Sequence, residues 1–161
     1  MLNQYLYPQT QIPMSSSEWT YNGQQFANIE QFPENTYGFI YKITRISDGK
    51  FYVGRKNLYS ERNKPLTKKE LAEHTGKGKK PTKKKIVAES DWQAYFGSEA
   101  TLKADVKERG KEAFKREIIH LCSHKKQMTY QELRHQILQG CLESDNCFNG
   151  NILGKFWKKD I

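Results

Sequence analysis

YGFIYKITRI (residues 37–46), SDG (47–49) and KFYVG (50–54) decide how this chain begins to fold. The two outer pieces are rich in aromatic and β-branched residues, and Asp48-Gly49 between them is a strong turn signal, so the segment reads as a β-hairpin. Side chains alternate faces along a strand, which determines the groups that can cooperate. A two-residue loop at Asp48-Gly49 pairs residues whose numbers sum to 97, and a four-residue loop one position earlier gives 95. Either way Tyr41 and Tyr52 share a face, with Gly54 opposite Ile43 in the first case and opposite Tyr41 in the second. A position without a side chain beside two tyrosines leaves a gap that a ligand backbone could enter. Taken alone, the two tyrosines are better explained as cross-strand packing, which contributes about 0.2–1 kcal/mol per pair.

Upstream, residues 1–35 are polar and carry Pro8, Pro13, Pro33 and the run Ser15 to Ser17, so they read as an extension of a main domain over 36–155. Within that extension WTYNGQQF (19–26) looks like a short hairpin around Asn22-Gly23, a pair that readily takes the positive φ angles of a type I′ turn. Downstream, about 59–90 form a basic insert holding Arg62, Lys64, Lys68, Lys69, Lys77, Lys79, Lys80, Lys83, Lys84 and Lys85, with Gly76 and Gly78 between them. It reads as a mobile arm. ATLKADVKERG (100–110) has Leu102 and Val106 four apart and a glycine stop, which predicts a helix. FKREIIHLC (114–122) predicts a third strand. Tyr130, Leu133, Ile137 and Leu138 give helical spacing from Thr129 to about Glu143, and 156–161 read as a frayed tail. The expected class is α+β: a small antiparallel sheet of about three strands flanked by helices.

A chain of 161 residues suits one domain, and a domain of this size buries roughly 68–70% of its unfolded surface. A net charge of +9 and a pI near 9.4 favour anionic partners, nucleic acid before acidic membrane. No run of about 18 apolar residues and no secretory leader pattern is visible, so no membrane association and a cytoplasmic location are expected, the host bacterial cytoplasm if the chain is phage-encoded. Cys122, Cys141 and Cys147 are odd in number, which suits free thiols. His120, Cys122 and His124 raise the question of zinc, but no CxxC pair supports it. Trp92, Tyr95 and Phe96 are expected in the core rather than stacked on bases.

Phe39-Ile40-Tyr41, ten intervening residues, then Tyr52-Val53-Gly54 resembles the signature of the GIY-YIG endonucleases. The likeness continues through Arg62, ten residues past the second tyrosine, Glu108-Arg109-Gly110 with Phe114, Glu132, and Phe148-Asn149. It covers roughly 36–152 and is nearest in texture to short freestanding phage enzymes of homing type. Phe39 stands where the family usually has glycine, and Leu66 stands where it often has histidine, so Arg55 and Arg116 remain rivals of Arg62.

The resemblance implies a hydrolase that cuts phosphodiester bonds of double-stranded DNA with Mg²⁺ or Mn²⁺. Tyr41, Tyr52, Arg62, Glu132 and Asn149 would form its site, with Glu132 holding the metal. Tyr41 would orient or deprotonate water, helped by Arg55, Lys56 or Arg62, since a nearby cation lowers a phenol's pKa by about 1–3 units. Arg55, Lys56 and the lysines of the basic insert would contact DNA. Thr129-Tyr-Gln-Glu132 also fits a capping box, a purely structural use of that glutamate. A non-catalytic nucleic-acid-binding protein, or a restriction or repair nuclease of the same family, are the alternatives, and monomer and homodimer are both open.

Overall fold

In the computed structural model, which describes residues 17–161, the chain runs through β1 (Trp19–Tyr21), β2 (Gln24–Phe26), β3 (Gly38–Arg45), β4 (Phe51–Asn57), β5 (Tyr59–Pro65), α1 (Lys68–Ala72), β6 (Lys83–Glu89), α2 (Ala100–Arg109), β7 (Phe114–Cys122), α3 (Lys125–Leu138), β8 (Asn151–Ile152) and β9 (Phe156–Trp157). Residues 1–16, the outer part of the expected extension, lie outside the described residues.

The hairpin forms with the sum of 95: Tyr41 pairs with Gly54, and Ile43 with Tyr52. Its loop is the four residues 46–49, closed by Arg45 N–H donating to Lys50 O at 2.7 Å and Gly49 N–H donating to Arg45 O at 2.9 Å. Gly49 takes φ 74°, a conformation that glycine adopts without strain. Arg45 then ties the turn to α2, reaching Asp48 at 2.5 Å and Asp105 at 2.6 Å.

The α+β class is as expected, but the sheet is larger and mixed. Five strands lie in the order β2-β1-β7-β3-β4, with β3 antiparallel to both neighbours and β1 parallel to β7. The hairpin around Asn22-Gly23 is therefore part of the main sheet rather than an appendage. Trp19 explains why: it is fully buried, donates from Nε1 to Trp92 O at 2.8 Å, and meets the rings of Phe39 and Tyr41 edge-on at 5.2 and 5.3 Å. Such edge-to-face contacts add about 0.5–1.5 kcal/mol beyond burial alone. Without β1, β7 would expose an unpaired edge and this core would lose one of its two tryptophans.

Alternation sorts two cores. Odd positions of β3 and even positions of β4 join an aromatic cluster that includes Trp19, Phe39, Tyr41, Tyr52, Trp92 and Phe114. The opposite face packs Ile40, Val53, Cys122, Met128, Cys141 and Cys147 beneath α3. Trp92 and Phe96 are buried, as expected.

Three other expectations change. Helix α3 begins at Lys125, four residues early, because the imidazole Nδ1 of His124 accepts from Gln127 N–H and caps it. Its regularly spaced Tyr130, Ile137 and Leu138 face solvent, 58–68% exposed, while the inward side presents Met128, Glu132 and Gln136. The basic insert is an ordered antiparallel ribbon, β5 against β6, with α1 near its tip. The tail pairs as β8-β9, and Lys158 Nζ donates to Ser144 O at 2.5 Å. No helix of the described residues is long and apolar enough to cross a membrane.

Candidate active site at the sheet edge

β4 is the last strand of the sheet, so one of its edges lacks a strand partner. Residues 146–149 cover part of it: Phe51 N–H donates to Asn146 O at 3.0 Å and Phe148 N–H donates to Phe51 O at 2.7 Å. Asn149, 3% exposed, finishes the cover with its side chain. Its Oδ1 accepts from Val53 N–H at 2.9 Å and its Nδ2 donates to Val53 O at 2.8 Å, a carboxamide imitating one rung of a ladder. Gln136 Nε2 donates to the same carbonyl at 3.0 Å. Asn149 thus spends both ends of its amide on the Val53 peptide, and its Oδ1 also accepts from Cys147 Sγ at 3.2 Å.

Beyond this cover a cavity of about 440 Å³ opens, lined by Tyr52, Arg55, Ser98, Glu99, Glu132 and neighbouring residues. It draws on both faces of the sheet, because Tyr52 and Arg55 lie three apart on β4 and point to opposite sides. Glu132 comes from the inward side of α3 and meets Arg55, Nε to Oε2 3.3 Å. Arg55 Nη1 also donates to Thr129 Oγ1 at 2.5 Å. With the helix starting at Lys125, Glu132 lies in its interior, so the capping-box reading of Thr129 to Glu132 is overturned.

The two tyrosines share a face as the alternation requires, with ring centroids 6.0 Å apart. The gap at Gly54, however, is closed to any ligand, because the tyrosine rings themselves fill it. A Cβ there would stand 2.6 Å from the Tyr41 hydroxyl and 2.7 Å from Tyr52 Cε1. Tyr41, 1% exposed, sits behind Tyr52 against Trp19 and Tyr95 and does not line the cavity. Tyr52 does, and its hydroxyl shares a hydrogen bond with Ser98 Oγ at 3.2 Å.

The expected lowering of the phenol pKa does not occur. Burial raises Tyr41 well above its ordinary value, with Tyr52 and Tyr95 adding to the rise. Burial also raises Tyr52, against a smaller lowering by Ser98. Lys56 cannot reverse this, because its ammonium is engaged by Asp91 at 2.5 Å and lies 3.9 Å from the Tyr95 ring centroid. Both phenols are therefore neutral donors near pH 7. Glu132 is raised too, by burial, with Arg55 opposing the rise.

The three arginines separate cleanly. Arg55 is in the cavity. Arg116 is 3% exposed and spends its donors on Ser17 O, Gln93 O and Tyr95 O at 2.5–2.8 Å while stacking on Trp19 and Phe96, so it is a core residue. Arg62 lies on β5 and lines an adjoining cleft of about 740 Å³ shared with Arg55, Lys56 and Asp91. The structure does not bring it to Glu132, because the chain leaves the sheet at Leu58 and the ribbon projects from there. The signal that marks Arg55 is its position on β4, three residues beyond Tyr52 and on the face that α3 covers.

For a divalent cation the donor set is suitable in kind: Glu132, Glu99, Gln136, Asn151 and Ser98 offer oxygen, and no thiol or imidazole lines the cavity. Such hard donors favour Mg²⁺ over zinc. Among the described residues no three or more His, Cys, Asp or Glu side chains are gathered as a metal site, so a cation at Glu132 would rely on water for most of its shell. Of the lysines expected to contact DNA, Lys56 is on β4, Lys68 and Lys69 are on α1, Lys77, Lys79 and Lys80 are in the connection between α1 and β6, and Lys83, Lys84 and Lys85 are on β6, where Lys84 and Lys85 pair with Glu70 and Glu61.

Residues 19–152 match the family described as "Putative endonuclease segE, GIY-YIG domain". No curated protein and no solved structure matches the chain. The match begins at Trp19, the residue that brings β1 into the sheet, and spans the tyrosine hairpin, the cavity and α3. The chain belongs to the GIY-YIG endonuclease family.

Proposed function

We propose that this protein is a metal-dependent endonuclease that hydrolyses phosphodiester bonds of double-stranded DNA, used for homing. The observation that carries the reading is the meeting of Tyr52, Arg55 and Glu132 in one polar cavity, beside a cleft that Arg55, Lys56 and Arg62 line. A nuclease domain takes DNA as its substrate, and the surplus of cations beside the cavity supplies the phosphate attraction that duplex binding needs.

Glu132 would hold Mg²⁺ or Mn²⁺, which when bound supplies charge stabilisation at the phosphoryl oxygen and at the leaving alkoxide. Arg55 takes the phosphate clamp from Arg62, because its guanidinium is already beside Glu132; Arg62 grips a flanking phosphate along the cleft. Tyr52 donates a hydrogen bond to the attacking water or to the phosphate as a neutral phenol, with Ser98 fixing its direction. Tyr41 backs Tyr52 and keeps it in place. Asn149 and Gln136 hold Val53, hence the strand that presents Tyr52 and Arg55. Loss of a transition-state donor such as Arg55 costs about 10²–10³ in rate.

Incubation with plasmid DNA and Mg²⁺ tests this. Nicking or linearisation, abolished by chelation and by Glu132→Ala, is the expected result. Undiminished cutting by Glu132→Ala would overturn the metal assignment, and tight DNA binding without cutting would favour a non-catalytic binding protein.

A further inference from the structure

The ribbon has two faces, and they are not alike. Directly paired residues share a face, so the pairs Ser60·Ala88, Arg62·Ile86 and Lys64·Lys84 form one side, and Tyr59·Glu89, Glu61·Val87, Asn63·Lys85 and Pro65·Lys83 form the other. The first side carries cations and no acid. The second carries two lysines balanced by two glutamates, one of them locked in the Glu61–Lys85 ion pair at 2.7 Å. On the first side Lys84 pairs with Glu70 from α1, while among the described residues neither Arg62 nor Lys64 is in an ion pair.

The cationic side also contributes Ser60 and Arg62 to the cleft that adjoins the site. It lines a groove of about 480 Å³ that shares Ser60, Arg62 and Glu89 with the adjoining cleft, and the cleft shares Arg55 with the Glu132 cavity. The groove, the cleft and the Glu132 cavity are thus neighbours, with Arg62 bordering the first two and Arg55 the last two. The base of the ribbon is latched to the sheet by Ser90 Oγ donating to Asn57 O at 2.6 Å and Ser90 N–H donating to Leu58 O at 2.8 Å, so the face keeps its direction.

Resting on the DNA reading above, we propose that the ribbon lies in the major groove of the duplex with its Arg62/Lys64 side toward the base edges. Two strands of seven residues make a ribbon about 23 Å long, at roughly 3.3 Å per residue. The major groove, about 12 Å wide, admits such a ribbon and the minor groove, about 6 Å wide, does not. Arg62 and Lys64 match guanine acceptors or phosphates, and Ile86 and Ala88 on the same side match thymine methyls. Recognition is thereby placed beside the cut rather than on a separate domain.

The test uses full-length protein carrying Glu132→Ala, so that DNA stays intact, and a 30-bp duplex followed by fluorescence anisotropy in about 0.1 M salt. Ile86→Glu and Val87→Glu are adjacent, chemically matched and on opposite faces, so they add the same charge at nearly the same place and differ in the face they obstruct. Expected are at least tenfold weaker binding for Ile86→Glu, a change under twofold for Val87→Glu, and for Lys64→Gln a logarithmic salt slope shallower by about 0.9. A duplex whose pyrimidines carry a bulky 5-substituent, which projects into the major groove, should bind at least tenfold more weakly than its unmodified twin. Equal losses from Ile86→Glu and Val87→Glu, or indifference to the 5-substituent, would overturn the inference while leaving the endonuclease reading standing. No duplex binding by the parent protein would overturn both.

Discussion

Adding one methyl group at Gly54 puts a carbon 2.6 Å from the Tyr41 hydroxyl, 2.7 Å from Tyr52 Cε1 and 2.8 Å from Tyr41 Cζ. Ordinary contact begins at 3.4 Å, so a ring must retreat by about 0.8 Å, the difference between 3.4 and 2.6. Tyr41 has no room, with Trp19, Tyr95 and Phe39 centred 5.3, 5.9 and 6.2 Å away. Tyr52 can yield the 0.7 Å its own contact needs (3.4 less 2.7), because it borders the cavity, and yielding strains its hydrogen bond to Ser98, whereas the Tyr41 contact has to be relieved by a shift of β4 itself. Overpacking of this kind costs about 1–3 kcal/mol. At roughly 2–4 °C per kcal/mol for a domain of this size, Gly54→Ala should melt about 2–12 °C lower. A misplacement near 1 Å in a site that works by position costs about 10²-fold in rate, so plasmid cleavage should fall by that order. Combining it with Tyr41→Phe removes the closest clash and should restore part of the melting temperature without restoring cleavage. A Gly54→Ala protein that melts within 1 °C of its parent and cuts at the parental rate would refute the packing argument. Lost stability with full cleavage would show that tyrosine placement does not limit the reaction.

Arg55→Ala should lower cleavage about 10²–10³-fold with folding intact, and Arg62→Ala should act mainly through DNA affinity; measured rates at saturating and limiting DNA separate the two, and the reverse pattern would return the clamp to Arg62. Asn149→Ala leaves the buried Val53 N–H without its acceptor, so denaturant unfolding should show a loss of about 1–3 kcal/mol, and a neutral result would remove the strand-cover role. His135 has its pKa lowered from the ordinary imidazole value by burial, with His120 and Arg134 adding to it, and its Nε2 is buried without a partner. Because its folded pKa lies below its unfolded one, its contribution is intact above about pH 6.5 and is lost as the pH falls from there through the folded value. Melting curves between pH 8 and pH 5 should therefore fall on the acid side, and less so for His135→Gln.

What could be read from the chain beforehand follows the range of the interactions involved. Strand β7 and helix α2 have the residues expected of them, because periodicity and a glycine stop are local signals. The shared face of Tyr41 and Tyr52 was equally legible, since it needs only alternation and an even-length loop. The parallel pairing of Trp19–Tyr21 with Arg116–Ile118 leaves no local trace, as its partners are nearly a hundred positions apart. Helix α3 misled for a different reason: its inward side carries Glu132 and Gln136 for the site, so the apolar spacing marked the solvent side instead. Arg62 was favoured over Arg55 by spacing alone, and only the departure of the ribbon at Leu58 shows which of them faces the carboxylate.

The parallel β1 strand has a consequence for synthesis. Trp19 emerges from the ribosome early, but its partner Arg116 lies 97 residues later (116 less 19). At about 5–20 residues per second, that is roughly 5–20 s during which the edge of β1 that will join β7 has no partner strand, although its other edge can already pair with β2. The central hairpin can close within microseconds of its own synthesis, yet the sheet that aims it is completed only when β7 arrives. The nascent chain thus carries its tyrosine hairpin long before that hairpin is held in a working position.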